Sequence, residues 1–175
     1  RSRLRLPVGR FARGTPVFRP RQALTGQKKL YYFTTSACPP IVGVATRGFC
    51  AEVNDFVLSK VLSARPDRLI LAAVWGNYDW KQVERTLQRL QQAGITQVDV
   101  VGPVPRWYPS LPVVLTRFNE PFSKLPRRTT LGLDPEVAVI DAEMRELVER
   151  RGAHYISARS ILCDAAGCLT RICDR

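Results

Sequence analysis

Leu69-Ile70-Leu71-Ala72-Ala73-Val74-Trp75-Gly76-Asn77 is the stretch that decides the fold. Residues 69–75 form the longest apolar run in the chain, with no polar alternation. Such a run reads as a strand buried on both faces, and Gly-Asn after it as the turn that ends it. That pattern belongs to a parallel sheet covered by helices. The run falls well short of the roughly 18–20 apolar residues that a membrane span requires, so no transmembrane segment is expected in this chain.

The flanks agree with a parallel sheet. Upstream, Val53, Phe56, Val57 and Val61 recur at helical spacing within residues 51–65, and Pro66 stops the pattern. Downstream, residues 79–94 put Trp80, Val83, Leu87 and Leu90 on one helix face, with Asp79 as N-cap and Gly94 as stop. Residues 97–101 read as the next strand. A proline-rich loop leads to a short strand at 113–115, and a basic, irregular segment runs on to Arg128. Asp134-Pro135 opens a helix with Val139, Met144, Leu147 and Val148 inward and Gly152 closing it, and residues 153–157 form the last strand. Residues 30–34, aromatic and β-branched, predict an earlier strand. Alternating strands and helices give an α/β fold, an open parallel sheet with flanking helices and right-handed crossovers. In such sheets the chemistry sits in loops at the C-terminal ends of the strands.

The chain has 175 residues, 45% hydrophobic and 24% charged, a balance that fits one globular domain and excludes disorder throughout. Its 27 Lys and Arg against 15 Asp and Glu give a net charge of +12, which ordinarily points to a polyanionic partner. However, nine of the positive charges lie in residues 1–29, before the first acid at Glu52, and the remainder carries only +3. The expected organisation is therefore a basic, poorly ordered leader over 1–29 and an α/β body over 30–175. The leader lacks the apolar stretch of about 7–15 residues of a secretory signal. A non-enzymatic polyanion binder using this leader is the alternative function. The body shows no basic helix, aromatic-and-basic stripe or nucleic-acid motif, so no specific nucleic acid is expected.

Cys38 and Cys50 bracket a Pro/Gly-containing loop, and Cys163 and Cys168 bracket a short turn. Pairing within each couple would pin two loops and suit an oxidising compartment such as the periplasm; reduced, partly buried thiols are the other reading. Cys173 is left over. The spacing of the last three cysteines is not a zinc pattern, and only one histidine exists to complete a site, so no metal is expected. Neither G-x-G-x-x-G nor a P-loop occurs, and no cofactor is expected. His154, the single histidine, would have to serve any Ser-His or Cys-His mechanism, yet it opens a strand directly after a helix. That is the wrong end of the sheet for catalysis, and a structural or surface role is expected for it.

Thr35-Ser36-Ala37-Cys38-Pro39-Pro40, Cys50, Asn54-Asp55, the strand 69–75, and Leu162-Cys163-Asp164 through Gly167-Cys168-Leu169 together resemble the SGNH-type domain fused to membrane acyltransferases that O-acetylate bacterial surface polysaccharides. The resemblance covers about residues 29–175. It implies a flavodoxin-like, SGNH hydrolase-like sheet, a periplasmic or extracytoplasmic location, and a polysaccharide acceptor and acyl donor reached through a membrane acyltransferase domain absent from this chain. It also implies a serine nucleophile in a Gly-Asp-Ser-His block and a base in an Asp-x-x-His block. Neither block occurs here, so the expectation is a domain truncated at both ends and catalytically incomplete. The loop after the first clear strand carries over instead. Gly76 and Asn77 stand where these enzymes present an oxyanion donor, although the order Gly76-Asn77-Tyr78-Asp79 differs from the family's Gly-x-Asn-Asp. The same residues also read as a simple turn capped by Asp79. Trp75 and Arg117 are the candidate substrate-binding residues, Arg117 as a cation for an anionic sugar or carboxylate.

Overall fold

The computed structural model describes residues 30–43 and 49–171. The leader over 1–29 and Cys173 lie outside the described residues. The chain divides between Phe33 and Thr34, and among the described residues the helices and strands belong to the second unit. In chain order these are α1 (Cys50–Ala64), β1 (Leu69–Ala72), α2 (Val83–Gln92), β2 (Val98–Val101), α3 (Leu111–Thr116), β3 (Arg128–Thr129), α4 (Glu136–Arg150), β4 (His154–Ile156), α5 (Ala158–Leu162), β5 (Cys163–Asp164) and β6 (Gly167–Leu169).

β1, β2 and β4 form the expected parallel sheet in that spatial order, with Leu71 opposite Val100 and Val100 opposite Tyr155. Each step moves to the next strand through a helix, α2 and then α4. Crossovers of one hand taken in one direction put both helices on the same face. There Leu71, Val100 and Tyr155 join Val83, Leu87, Leu90, Met144 and Val148 in one core, each large apolar side chain contributing about 1.5–3 kcal/mol by leaving water. The opposite face is open, with Ile70 and Val74 each 57% exposed. β1 is thus buried on one face, not on two as its composition suggested.

The helices follow their apolar periods with two exceptions. In α2, Val83, Leu87 and Leu90 are buried as expected, after a 3-10 turn whose Trp80 is also buried. Thr86 joins them because its hydroxyl is satisfied, accepting the N–H of Val42 and donating to the carbonyl of Pro40. Asp79 makes no backbone cap; its carboxylate accepts from the Gln82 side chain. In α4 the buried stripe is Val137, Ile140, Met144, Leu147 and Val148, while Val139 is exposed, about 100° around the helix from Ile140. Phe56 of α1 is exposed as well. Gly94 and Gly152, both at positive φ, end α2 and α4 as expected.

Two predicted strands are absent. Residues 30–34 form no strand, and Leu30 to Phe33 are exposed; β-propensity is a weak guide because it depends on context. Residues 113–115 lie in α3, which Pro112 enters near its N-terminus, where a missing N–H costs nothing. A second sheet, antiparallel β3-β6-β5, gathers the C-terminal residues. Both expected disulfides are present, Cys38 with Cys50 and Cys163 with Cys168. The second joins directly opposed residues of the β5–β6 hairpin. The first ties the start of α1 to the loop that Asn54 grips, its amide donating to the carbonyls of Pro39 and Ile41, both at 2.9 Å.

A polar knot closes the C-terminal ends of β2 and β4. Buried Asp141 accepts from the hydroxyls of Tyr155 at 2.9 Å and Ser157 at 2.8 Å. Gly102 is what leaves room for it, since a Cβ there would lie 2.0 Å from the Tyr155 hydroxyl oxygen. Gly102→Ala is therefore expected to cost about 1–3 kcal/mol by overpacking, read by urea denaturation. Burial first, and the Asp141 carboxylate second, push the Tyr155 phenol well above its ordinary range. The unfolded chain then releases this proton near pH 10 while the folded chain keeps it, so stability falls as pH rises beyond that point, by up to about 1.4 kcal/mol per pH unit from this residue. Tyr155→Phe is expected to flatten that alkaline slope relative to the wild type in denaturation curves at pH 9–11. Replacing Cys38 and Cys50 together by serine is expected to cost about 2–4 kcal/mol under non-reducing conditions, measured the same way.

Candidate functional site

β1 is followed by a 3-10 turn, Trp75–Asn77, at the C-terminal end of the parallel strands. Trp75 is 0% exposed, and its indole Nε1 donates to the carbonyl of Val101 at 2.7 Å, at the end of β2. The ring has no surface to offer a ligand, so the expected substrate contact is corrected to an anchor. The anchored turn leaves Gly76 half-buried and Asn77 exposed. Asn77 N–H returns to the carbonyl of Val74 at 3.2 Å and Tyr78 N–H to that of Trp75 at 3.1 Å, so the backbone of the turn is closed on itself.

A residue that the sequence reading passed over lies against this turn. Arg106 donates from Nη1 to Asn77 Oδ1 at 3.4 Å and from Nε to Asp134 Oδ2 at 2.7 Å, and its Nη2 faces Glu136 Oε2 at 3.4 Å. A Cβ on Gly76 would stand 3.5 Å from the same guanidinium. Backbone zipping explains the placement: Tyr108 N–H donates to Gly132 at 2.7 Å, Asp134 N–H donates to Arg106 at 2.9 Å, and Trp107 bridges Leu133. Asp134 also accepts the N–H of Glu136 with its other oxygen, at 3.0 Å, and so holds the entry to α4. The Asp134 hydrogen bond is the main cause of a raised Arg106 pKa, with burial opposing it. One guanidinium between two carboxylates has its charge already met. Its geometry suits holding Asn77 and not capturing a free anion. No spacing in the sequence signals this set, because 106 and 134 meet only through the zipped loops.

Arg117 stands exposed just after α3, with no ion pair among the described residues. No hydrogen bond joins it to the Trp75–Asn77 turn. His154 begins β4, as expected, at the end of the sheet away from Asn77. Its Nδ1 lies 2.9 Å from Asp99 Oδ1, across the β2–β4 register, and Arg68 approaches the other oxygen of the same buried carboxylate at 3.3 Å. This satisfies Asp99 and leaves the imidazole exposed on the open face of the sheet. Among the described residues no group of His, Cys, Asp and Glu is placed to hold a metal ion, and no helix is long and apolar enough to cross a membrane.

What the turn can do chemically is present a carboxamide at the strand ends, where hydrogen-bond donors stabilise charge developing on an acyl oxygen. No curated protein matches the chain. Among solved structures, the periplasmic domain of a lipopolysaccharide acetyltransferase from Salmonella ser. Paratyphi A is similar, with 26% identity and a TM-score of 0.63 over 71% of this chain. The chain spans about half of that structure, 51% of its length. Residues 21–174 match the family described as SGNH domain (fused to AT3 domains). With the parallel sheet, its flanking helices and the Gly-Asn turn at the strand ends, this match over most of the sequence shows that the chain belongs to the SGNH domain family that is fused to AT3 domains.

Proposed function

We propose that this domain serves O-acetyl transfer to cell-envelope polysaccharide on the extracytoplasmic side of the membrane, receiving its acyl group through a membrane acyltransferase domain. The observation that carries the reading is the family match over residues 21–174. The similar structure is a lipopolysaccharide acetyltransferase domain that is periplasmic, and two disulfides suit an oxidising compartment. In this reading Asn77 donates to the oxyanion that forms when an acyl carbonyl is attacked, and Gly76 belongs to the turn that presents it. Trp75 fixes the turn from beneath. Arg117 is the exposed cation for an acidic group on the acceptor.

A serine nucleophile needs a histidine base because its own hydroxyl is barely ionised at neutral pH. The sequence holds neither the Gly-Asp-Ser-His nor the Asp-x-x-His block, and His154 lies away from Asn77. The 175-residue chain alone is therefore expected to hydrolyse p-nitrophenyl acetate no faster than buffer. Turnover that disappears on His154→Ala would overturn this. When the two blocks are supplied in one polypeptide with this chain, Asn77→Ala is expected to lower kcat for acetyl transfer by about 10²–10³-fold with KM nearly unchanged, the usual effect of losing one oxyanion donor. An unchanged kcat would remove Asn77 from that role.

A further inference from the structure

An asparagine side chain has two chemically opposite ends on one planar group, a carbonyl that accepts and an NH2 that donates. Only the donor end stabilises an oxyanion, so an exposed carboxamide free to rotate presents the useful end for part of the time. Asn77 is exposed, and its only side-chain hydrogen bond among the described residues is the one that Oδ1 accepts from Arg106 at 3.4 Å. The guanidinium has no acceptor to offer, so it selects the rotamer with Oδ1 toward it and Nδ2 away from it. Arg106 is itself held: Asp134 takes Nε at 2.7 Å and also faces Nη2, and Glu136 faces Nη2 at 3.4 Å, while the Tyr108 ring lies 5.2 Å from the guanidinium carbon.

We infer that Arg106 is a positioning residue that fixes the Asn77 carboxamide with its NH2 facing outward, through the chain Asp134–Arg106–Asn77. The inference rests on the reading of Asn77 as the oxyanion donor for its purpose, though not for its test. Lysine in place of Arg106 keeps the charge but not the fork that bonds Asp134 and Asn77 together.

The chain has three asparagines, and the other two serve as internal controls. Asn54 donates two hydrogen bonds at 2.9 Å, and Asn119 is exposed with no side-chain hydrogen bond among the described residues. In the full chain labelled with ¹⁵N-asparagine, heteronuclear NOE values of the three side-chain NH2 groups are measured. The Asn77 group is expected to be ordered like that of Asn54, yet to exchange with water faster than it. Arg106→Lys and Arg106→Gln are expected to bring its NOE and shift to the values of Asn119, leaving Asn54 unmoved as proof that the fold is intact. An Asn77 group as mobile as Asn119 in the wild type overturns the inference, and that reading requires no variant. So does an Asn77 group that stays ordered in both variants. The acetyl-transfer assay on Asn77→Ala judges the catalytic reading separately, so the two can fail independently.

Discussion

The bond from Trp75 Nε1 to the Val101 carbonyl carries much of this domain. Large, flat and fully buried, the indole fills the top of the core where β1 leaves the sheet, and its single N–H finds the last carbonyl of β2. A buried indole N–H without an acceptor costs free energy, so the bond also dictates where the chain turns. The turn cannot slide along the strand ends without either exposing the ring or orphaning its donor. Everything that follows β1, including the direction in which Gly76 and Asn77 are presented, inherits that fixed point.

From there the site is assembled by pieces distant in sequence. The Arg106 and Asp134 loops run side by side because their backbones pair, and that pairing rather than any side-chain preference delivers a guanidinium to the turn. Asp134 does double service, accepting from Arg106 with one oxygen and from the first turn of α4 with the other. The same helix supplies Asp141 to the knot under Gly102, so α4 supports the strand ends at two levels.

Where side-chain periodicity alone sets an element, the sequence was readable. Val83, Leu87 and Leu90 mark α2, Met144, Leu147 and Val148 mark α4, and the apolar run marks β1. Misreadings occur where a partner decides. Leu30 to Phe33 have the composition of a strand yet form none, and residues 113–115 have β-branched side chains inside a short helix entered through Pro112. Val139 sits in an apolar-rich helix on the wrong side of its own stripe. The candidate turn was legible from Gly76-Asn77 after the strand. Arg106 was not, because a lone arginine in a proline-rich loop looks like any surface charge until the loop at Asp134 is laid beside it.

The open face of the parallel sheet bears on how the chain behaves in a tube. β1 has a hydrogen-bonded neighbour on one side only among the described residues, and Ile70 within it and Val74 just beyond it stand exposed. An apolar border invites edge-to-edge association, and the four-residue length of β1 is what limits it. Concentrated solutions of this chain should be the first place where that shows, as turbidity or slow growth of scattering, and a lysine at Ile70 is the kind of gatekeeper that natural sheets use against it.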